Sequence, residues 1–237
     1  MIILFAPAKT LKNAPKVEVI NHHFPYEQIT KDIVNHIQSL NPLSLKKALH
    51  ISDAQVSTIY LLYHHFDTQP YHFAYDLLDG VAYRALDYQN LSSKAQNYIH
   101  QYVYVIDALY GVFQMNTLIK PYYLDMSYKG MNLRSVWRPI LHDWLVSQNS
   151  GKQEILSLTS IEYSDLISKN IPFYRVNFLN HQNGKLKAIS VFSKQMRGKL
   201  LRYIAENHVE KVCDLPTTIE GYELVKDGYE LTYLKQP

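Results

Sequence analysis

The chain is short of the residues that most often announce a chemistry. Its 237 residues include one cysteine, Cys213, which excludes a disulfide framework and a cysteine-built zinc site. Glycine occurs eight times, about half the ordinary share, so Gly-rich phosphate loops and glycine-patterned repeats have little to be built from. No apolar run approaches the ~18 residues of a membrane span, and the opening MIILFAPAKT lacks the basic lead and cleavage segment of a signal peptide. His22-His23 and His64-His65 are adjacent pairs whose side chains diverge, and no His-Glu-x-x-His, clustered acidic motif or Gly-x-Ser-x-Gly elbow occurs. The sequence therefore calls for no metal and no cofactor. Cys213 has no activating partner nearby in the chain and reads as inert packing.

What is present suits a folded, cytoplasmic protein of a reducing compartment. Hydrophobic residues make up 47% and charged residues 19%, enough to bury a sizeable core. With no membrane segment and no linker-like stretch, a single monomeric domain is the expectation. The net charge of +3 hides an uneven distribution. Residues 169–202 carry Lys169, Arg175, Lys185, Lys187, Lys194, Arg197, Lys199 and Arg202 without one Asp or Glu. That is 8 of the 24 basic residues, leaving 16 basic against 21 acidic elsewhere. Such a segment is either an anion-binding face or a solvated surface whose acidic partners come from other parts of the fold. The 20 tyrosines add rings that can stack on bases, though tyrosine is also a common half-buried residue.

The patterning alternates between strands and helices. Residues 1–5 read as a buried strand ended by Pro7. Apolar positions at Ile33, Val34, Ile37 and Leu40 mark a helix that Asn41-Pro42 stops. A second helix is expected over 44–50 and a third from Ser52, capped with Gln55, to about residue 66. These two have the outline of a helix-hairpin-helix, a motif that binds a DNA phosphate through backbone N–H groups, although its usual glycine is missing here. A helix over 92–101, a strand over 102–106, an amphipathic helix over 136–146 and a short strand over 154–158 follow. Residues 173–179 and 186–192 flank Asn183-Gly184, a strong hairpin signal, and Ser193 then reads as the cap of a helix running to about 207. A last hairpin pairs 222–225 with 230–233 around Asp227-Gly228.

Two basic residues stand out. On the helix after Ser193, Met196, Leu200, Leu201, Tyr203 and Ile204 form the apolar arc, and Arg197 falls inside it. A guanidinium on an inward face needs a carboxylate, a carbonyl cluster or a bound anion. Glu162 or Asp125 could supply a buried ion pair; a ligand could supply the anion. Lys9 leaves the end of the first strand, where ligands gather in open α/β sheets, although a lone strand-end lysine is most often simply exposed.

At these residues the sequence resembles a known family. Phe5-Ala6-Pro7-Ala8-Lys9-Thr10 is similar to the N-terminal Ser-Pro-Ala-Lys-Thr motif of the YaaA family of bacterial peroxide-stress proteins. Leu109-Tyr110-Gly111-Val112 and Pro121-Tyr122-Tyr123-Leu124-Asp125-Met126 resemble its Leu-Tyr-Gly-x-Leu-Arg-Pro and Pro-Tyr-Arg-Leu-Glu-Met elements. Ser160-Ile161-Glu162-Tyr163 and Phe192-Ser193-Lys194-Gln195-Met196-Arg197-Gly198 resemble Ser-x-Glu-Tyr and Tyr-Ala-Lys-x-Ala-Arg-Gly, and Gly80, Tyr83 and Leu86 echo a Gly-Asp-Val-Tyr-x-Gly-Leu segment. The chain departs from that pattern at Phe113-Gln114-Met115-Asn116-Thr117, at Val81 and at Tyr123, each time losing charge.

The resemblance implies a cytoplasmic protein that limits oxidative damage driven by free iron, with an α/β fold, a helix-hairpin-helix-like element, a basic cleft and binding to DNA. The expectation is thus a single mixed α/β domain with a central mixed sheet and a helical insertion over roughly 30–100. Lys9, Glu162, Lys194 and Arg197 should share one cleft, with Tyr110, Tyr122 and Tyr163 as aromatic walls. Lys169, Arg175, Lys185, Lys187, Lys199 and Arg202 should track phosphates of duplex or single-stranded DNA with little sequence preference. An enzyme acting on a nucleobase or nucleotide between Lys9, Glu162 and Arg197 is the alternative.

Overall fold

The computed structural model describes residues 1–19, 22–148, 153–182 and 184–235. The chain order is β1 (Ile2–Phe5), α1 (Glu27–Gln38), α2 (Pro42–Leu49), α3 (Asp53–His64), β2 (His72–Phe73), α4 (Ala74–Leu77), α5 (Val81–Leu86) and α6 (Ser93–Tyr102). It continues with β3 (Val103–Asp107), β4 (Gly111–Gln114), β5 (Leu118–Ile119), α7 (Leu133–Gln148), β6 (Ile155–Leu158) and α8 (Ile161–Ser164). The last elements are β7 (Tyr174–Gln182), β8 (Lys185–Lys187), α9 (Ser190–Glu206), β9 (Thr218–Ile219), β10 (Tyr222–Asp227) and β11 (Glu230–Lys235).

Nine of the strands form one mixed sheet in the order β4-β3-β1-β6-β7-β11-β10-β9, with β8 paired to the far end of β7. Its centre, β3-β1-β6-β7-β11, is parallel; the edges β4 and β10–β9 are antiparallel. β1 and β6 are buried at every position, as parallel strands covered on both faces should be. The chain leaves β1 toward β3 on one side and later returns to β6 on the other, so β1 sits where the winding reverses. In open α/β sheets a ligand crevice opens at that point, outside the carboxyl ends of the strands.

The mixed α/β class, the first strand and the helix-rich stretch between β1 and β3 agree with the sequence reading, with the small β2 among those helices. Five local expectations are corrected. α2 begins at Pro42 rather than Ser44, because proline tolerates the first helical position and the Asn41 side chain accepts the Ser44 N–H at 2.9 Å. α9 begins at Ser190, not after Ser193, and the strand expected over 186–192 stops at Lys187. Ser193 is buried within α9, where its hydroxyl donates to the Phe178 carbonyl at 3.2 Å instead of capping. The last hairpin turns at Gly228-Tyr229, since Asp227 pairs with Glu230 and Gly228 carries the positive φ of 56°. In the earlier hairpin Gln182 pairs with Lys185 and Gly184 has φ 70°, while Asn183 lies outside the described residues.

α2 and α3 form a packed helix pair joined through His50, which is left-handed at φ 53°. The Gln55 side chain accepts the Ser52 N–H at 3.1 Å, as the capping pattern requires. The phosphate-binding role expected of this pair rests on sequence outline alone.

One glycine fixes where α5 lies. A Cβ on Gly198, in α9, would stand 2.0 Å from the Ala82 carbonyl oxygen and 2.9 Å from the Ala85 Cβ. The two helices therefore touch backbone to backbone, and nothing flexible can yield. Gly198→Ala is expected to force them apart and lower stability by about 1–3 kcal/mol or more, measured by urea unfolding.

Candidate functional site

A pocket of about 360 Å³ opens where the sheet topology directs it. Its walls are the exit of β1 (residues 5–10), Gly80 and the start of α5, the exit of β6 with Glu162 and Tyr163 on α8, and Lys194 and Arg197 of α9. Lys9, Glu162, Tyr163, Lys194 and Arg197, far apart in the chain, all line it.

Tyr110 and Tyr122 do not line it. Both are fully buried, their rings edge-on at 5.3 Å. The Tyr110 hydroxyl donates to the Lys120 carbonyl at 2.9 Å and accepts the Lys120 N–H at 3.1 Å. The Tyr122 hydroxyl donates to Asp107, a fully buried carboxylate that also accepts the N–H groups of Leu109 at 2.7 Å and Tyr110 at 2.9 Å. These tyrosines satisfy buried polar groups of the core, which is why their hydroxyls face inward. Gly111, beside Tyr110, has φ 74°, and a Cβ there would meet the Trp137 ring at 2.5 Å. That segment is built for packing.

The pocket's charges divide into those already matched and those left over. Lys9 makes a close ion pair with Asp125 and lies 5.5 Å over the Tyr123 ring. Burial opposes ionisation of Asp125, but Lys9 and the Ser127 hydroxyl (2.6 Å) hold its carboxyl below the usual range. Arg84 grips Asp79 in two parallel bonds, Nε to Oδ1 at 3.0 Å and Nη2 to Oδ2 at 2.5 Å. Arg197 is the exception. Its Nε is buried without a hydrogen-bond partner, and among the described residues it makes no ion pair within 4.0 Å. Neither Glu162 nor Asp125 neutralises it. Burial pushes its pKa down to about 10, so it stays charged at neutral pH. Burial and the neighbouring Asp125 push the Glu162 carboxyl up, so toward mild acid the pocket becomes more positive. Arg197 and Lys194 are thus the cations of the lining that make no ion pair within 4.0 Å among the described residues.

Outside the pocket the basic segment is less free than its sequence suggests. Arg175 faces Asp165 at 3.4 Å and Glu230 at 3.8 Å and stacks on Phe173. Lys199 pairs with Glu220 at 2.8 Å. Arg202 binds Asp87 at 3.1 Å, Glu206 at 2.9 Å and the carbonyls of Leu86 and Asp87. Acidic partners from distant elements thus neutralise three of the eight. Lys169, Lys185, Lys187 and Lys194 stay exposed, Lys185 and Lys187 on the β7–β8 hairpin. Sequence reasoning missed the Asp79–Arg84 pair and the place of Gly80 on the rim, although Gly80 stands in a segment matching the family pattern.

An open, mixed α/β sheet with a pocket lined by Lys9, Lys194 and Arg197 at its winding reversal defines the class. The chain belongs to the peroxide stress protein YaaA family, whose model matches residues 1–228. It is 30% identical over 240 residues to a UPF0246 protein of Rickettsia conorii, covering 97% of this chain and 93% of that protein. It is 28% identical over 245 residues to a UPF0246 protein of Finegoldia magna (99% and 98% covered) and 25% identical over 236 residues to one of Fusobacterium nucleatum (96% and 94%).

Replacing an unmatched, half-buried charge with an apolar group of similar length removes a desolvation cost. Arg197→Met is therefore expected to raise stability by about 1 kcal/mol or more in anion-free buffer, read as a higher melting temperature. A marked loss of stability would show that Arg197 is already satisfied.

Proposed function

We propose that this protein acts in the cytoplasmic response to peroxide by binding DNA along its phosphates, with little preference for sequence. The observation that carries the reading is Lys194, exposed and in no ion pair within 4.0 Å among the described residues, at the mouth of the pocket that holds Arg197. The exposed lysines of the β7–β8 hairpin extend the same sign of charge. Duplex and single strands both fit this mode, because phosphates are the shared target. Limitation of iron-driven damage follows from the same contacts. Lysines and arginines that neutralise phosphates displace the condensed cations around DNA, iron ions included, and move the site of radical formation off the backbone.

A second reading keeps the pocket for catalysis on a nucleobase or nucleotide. The half-buried Glu162, with its raised carboxyl, lies in the same pocket as Arg197 and is suited to give up a proton. Release of a free base on incubation with DNA, lost in Glu162→Gln, would favour it.

The test of DNA binding is a salt titration. Each phosphate contact adds roughly −0.7 to −0.9 to the slope of log affinity against log salt. Lys185→Ala/Lys187→Ala/Lys194→Ala is expected to flatten the slope by about 2 to 3, whereas Lys199→Ala/Arg202→Ala, which removes internally paired charges, leaves it nearly unchanged. A wild-type slope near zero, or a triple variant that binds like wild type, removes DNA from the account.

A further inference from the structure

The pocket is shaped for an end, not for the middle of a strand. Lys194 is exposed at its mouth, while Arg197, one turn further along α9, has its Nε wholly buried. The α5 backbone, pressed against Gly198, closes that side. An internal phosphodiester is flanked by sugars that leave in two directions, and a duplex cannot enter a cavity of about 360 Å³. A group that reaches Arg197 must come in by itself, with the rest of its molecule trailing outward on one side.

The lining specifies what that group is. Lys9 and Arg84 are held by Asp125 and Asp79, so the positive charges that no acid pairs are Lys194 and Arg197, beside a Glu162 carboxyl that burial shifts toward its neutral form. Two cations match the double charge of a terminal phosphomonoester better than the single charge of a diester. The opposite wall is apolar, made by Phe5, Ala6, Pro7, Ala8 and Leu158. Gly80 lies on its rim at φ 117°, a conformation that favours glycine, and a Cβ there would make only an ordinary contact with Ala8 at 3.6 Å. The volume falls in the range of roughly 300–1,000 Å³ of small-molecule sites.

We propose that this pocket takes the terminal phosphate of a nucleotide on Arg197 and Lys194, with the sugar and base along the Ala6-Pro7-Ala8 wall. The nucleotide is either the end of a DNA strand or a free mononucleotide. The inference rests on the anion-binding reading of the same pocket and adds the class of ligand.

The experiment compares one oligodeoxynucleotide carrying a 5′-phosphate, a 3′-phosphate or only hydroxyl ends, together with deoxyadenosine monophosphate, deoxyadenosine and inorganic phosphate. The proteins are wild type, Arg197→Met, Arg197→Lys and Lys185→Ala/Lys187→Ala, each checked for folding by its melting curve. A phosphorylated end is expected to bind roughly tenfold tighter than a hydroxyl end, the worth of one charge-assisted hydrogen bond. Arg197→Met should abolish that difference, Arg197→Lys should keep part of it, and the hairpin variant should keep it in full while weakening all DNA. Equal affinity for all ends, with no binding of the mononucleotide, overturns the assignment even if salt-sensitive DNA binding persists. Inorganic phosphate binding as tightly as the mononucleotide overturns it as well. Tight binding of the mononucleotide without binding of the oligonucleotide supports the pocket assignment, identifies the free nucleotide as the source and refutes the DNA reading.

Discussion

A guanidinium can be kept half-buried without an acid only where the fold over-determines its position, and Arg197 is such a group. α9 holds it from below through Met196, Leu200, Leu201 and Ile204, which anchor the helix in the core. α5 holds it from the side, because Gly198 lets the two helix backbones touch. With α9 so fixed, the backbone that carries Arg197 is held at the pocket. The rest of the pocket is arranged around this constraint. β1 and β6 end beside it, and their exits supply an apolar wall and a carboxyl that burial drives toward its neutral form. Nearby acids that could have quenched Arg197 are occupied instead: Asp125 with Lys9, Asp79 with Arg84.

The distinction between charge that is present and charge that is available runs through the whole surface. The acid-free run over 169–202 looked uniform as sequence, yet Arg175, Lys199 and Arg202 are matched by Glu230, Asp165, Glu220 and Asp87 from other parts of the fold, and Arg202 also by Glu206 one turn along α9. Those residues tie β7 and α9 to their neighbours; they are structural. What stays available is a smaller set on the β7–β8 hairpin and at the pocket mouth.

Legibility in the sequence followed the range of the interactions. The buried strand at the start, the Ser52–Gln55 cap and the hairpin pairing of β7 with β8 depend on neighbours and were visible. Arg197 was visible because a helical arc is a local pattern that betrays an intruder. The role of Ser193 was misread because its partner is the Phe178 carbonyl on a strand, which no periodicity reveals. Tyr110 and Tyr122 sit in motif segments but serve the buried Asp107 and the Lys120 backbone, and only three-dimensional packing separates a conspicuous tyrosine from a ligand wall. Gly198 likewise looked like part of a motif; its role in the α9–α5 contact depends on Ala82, more than a hundred residues away in the chain.

The central claim is that Arg197 is held unmatched for an anion. The measurement that tests it most directly is a crystal structure of the protein grown with deoxyadenosine monophosphate. The account predicts a phosphate oxygen within hydrogen-bond distance of the Arg197 guanidinium, with Lys194 turned onto the same group and Glu162 unpaired with Arg197. A structure in which Arg197 instead closes onto the Glu162 or Asp125 carboxylate, with the nucleotide absent from the pocket, would contradict it.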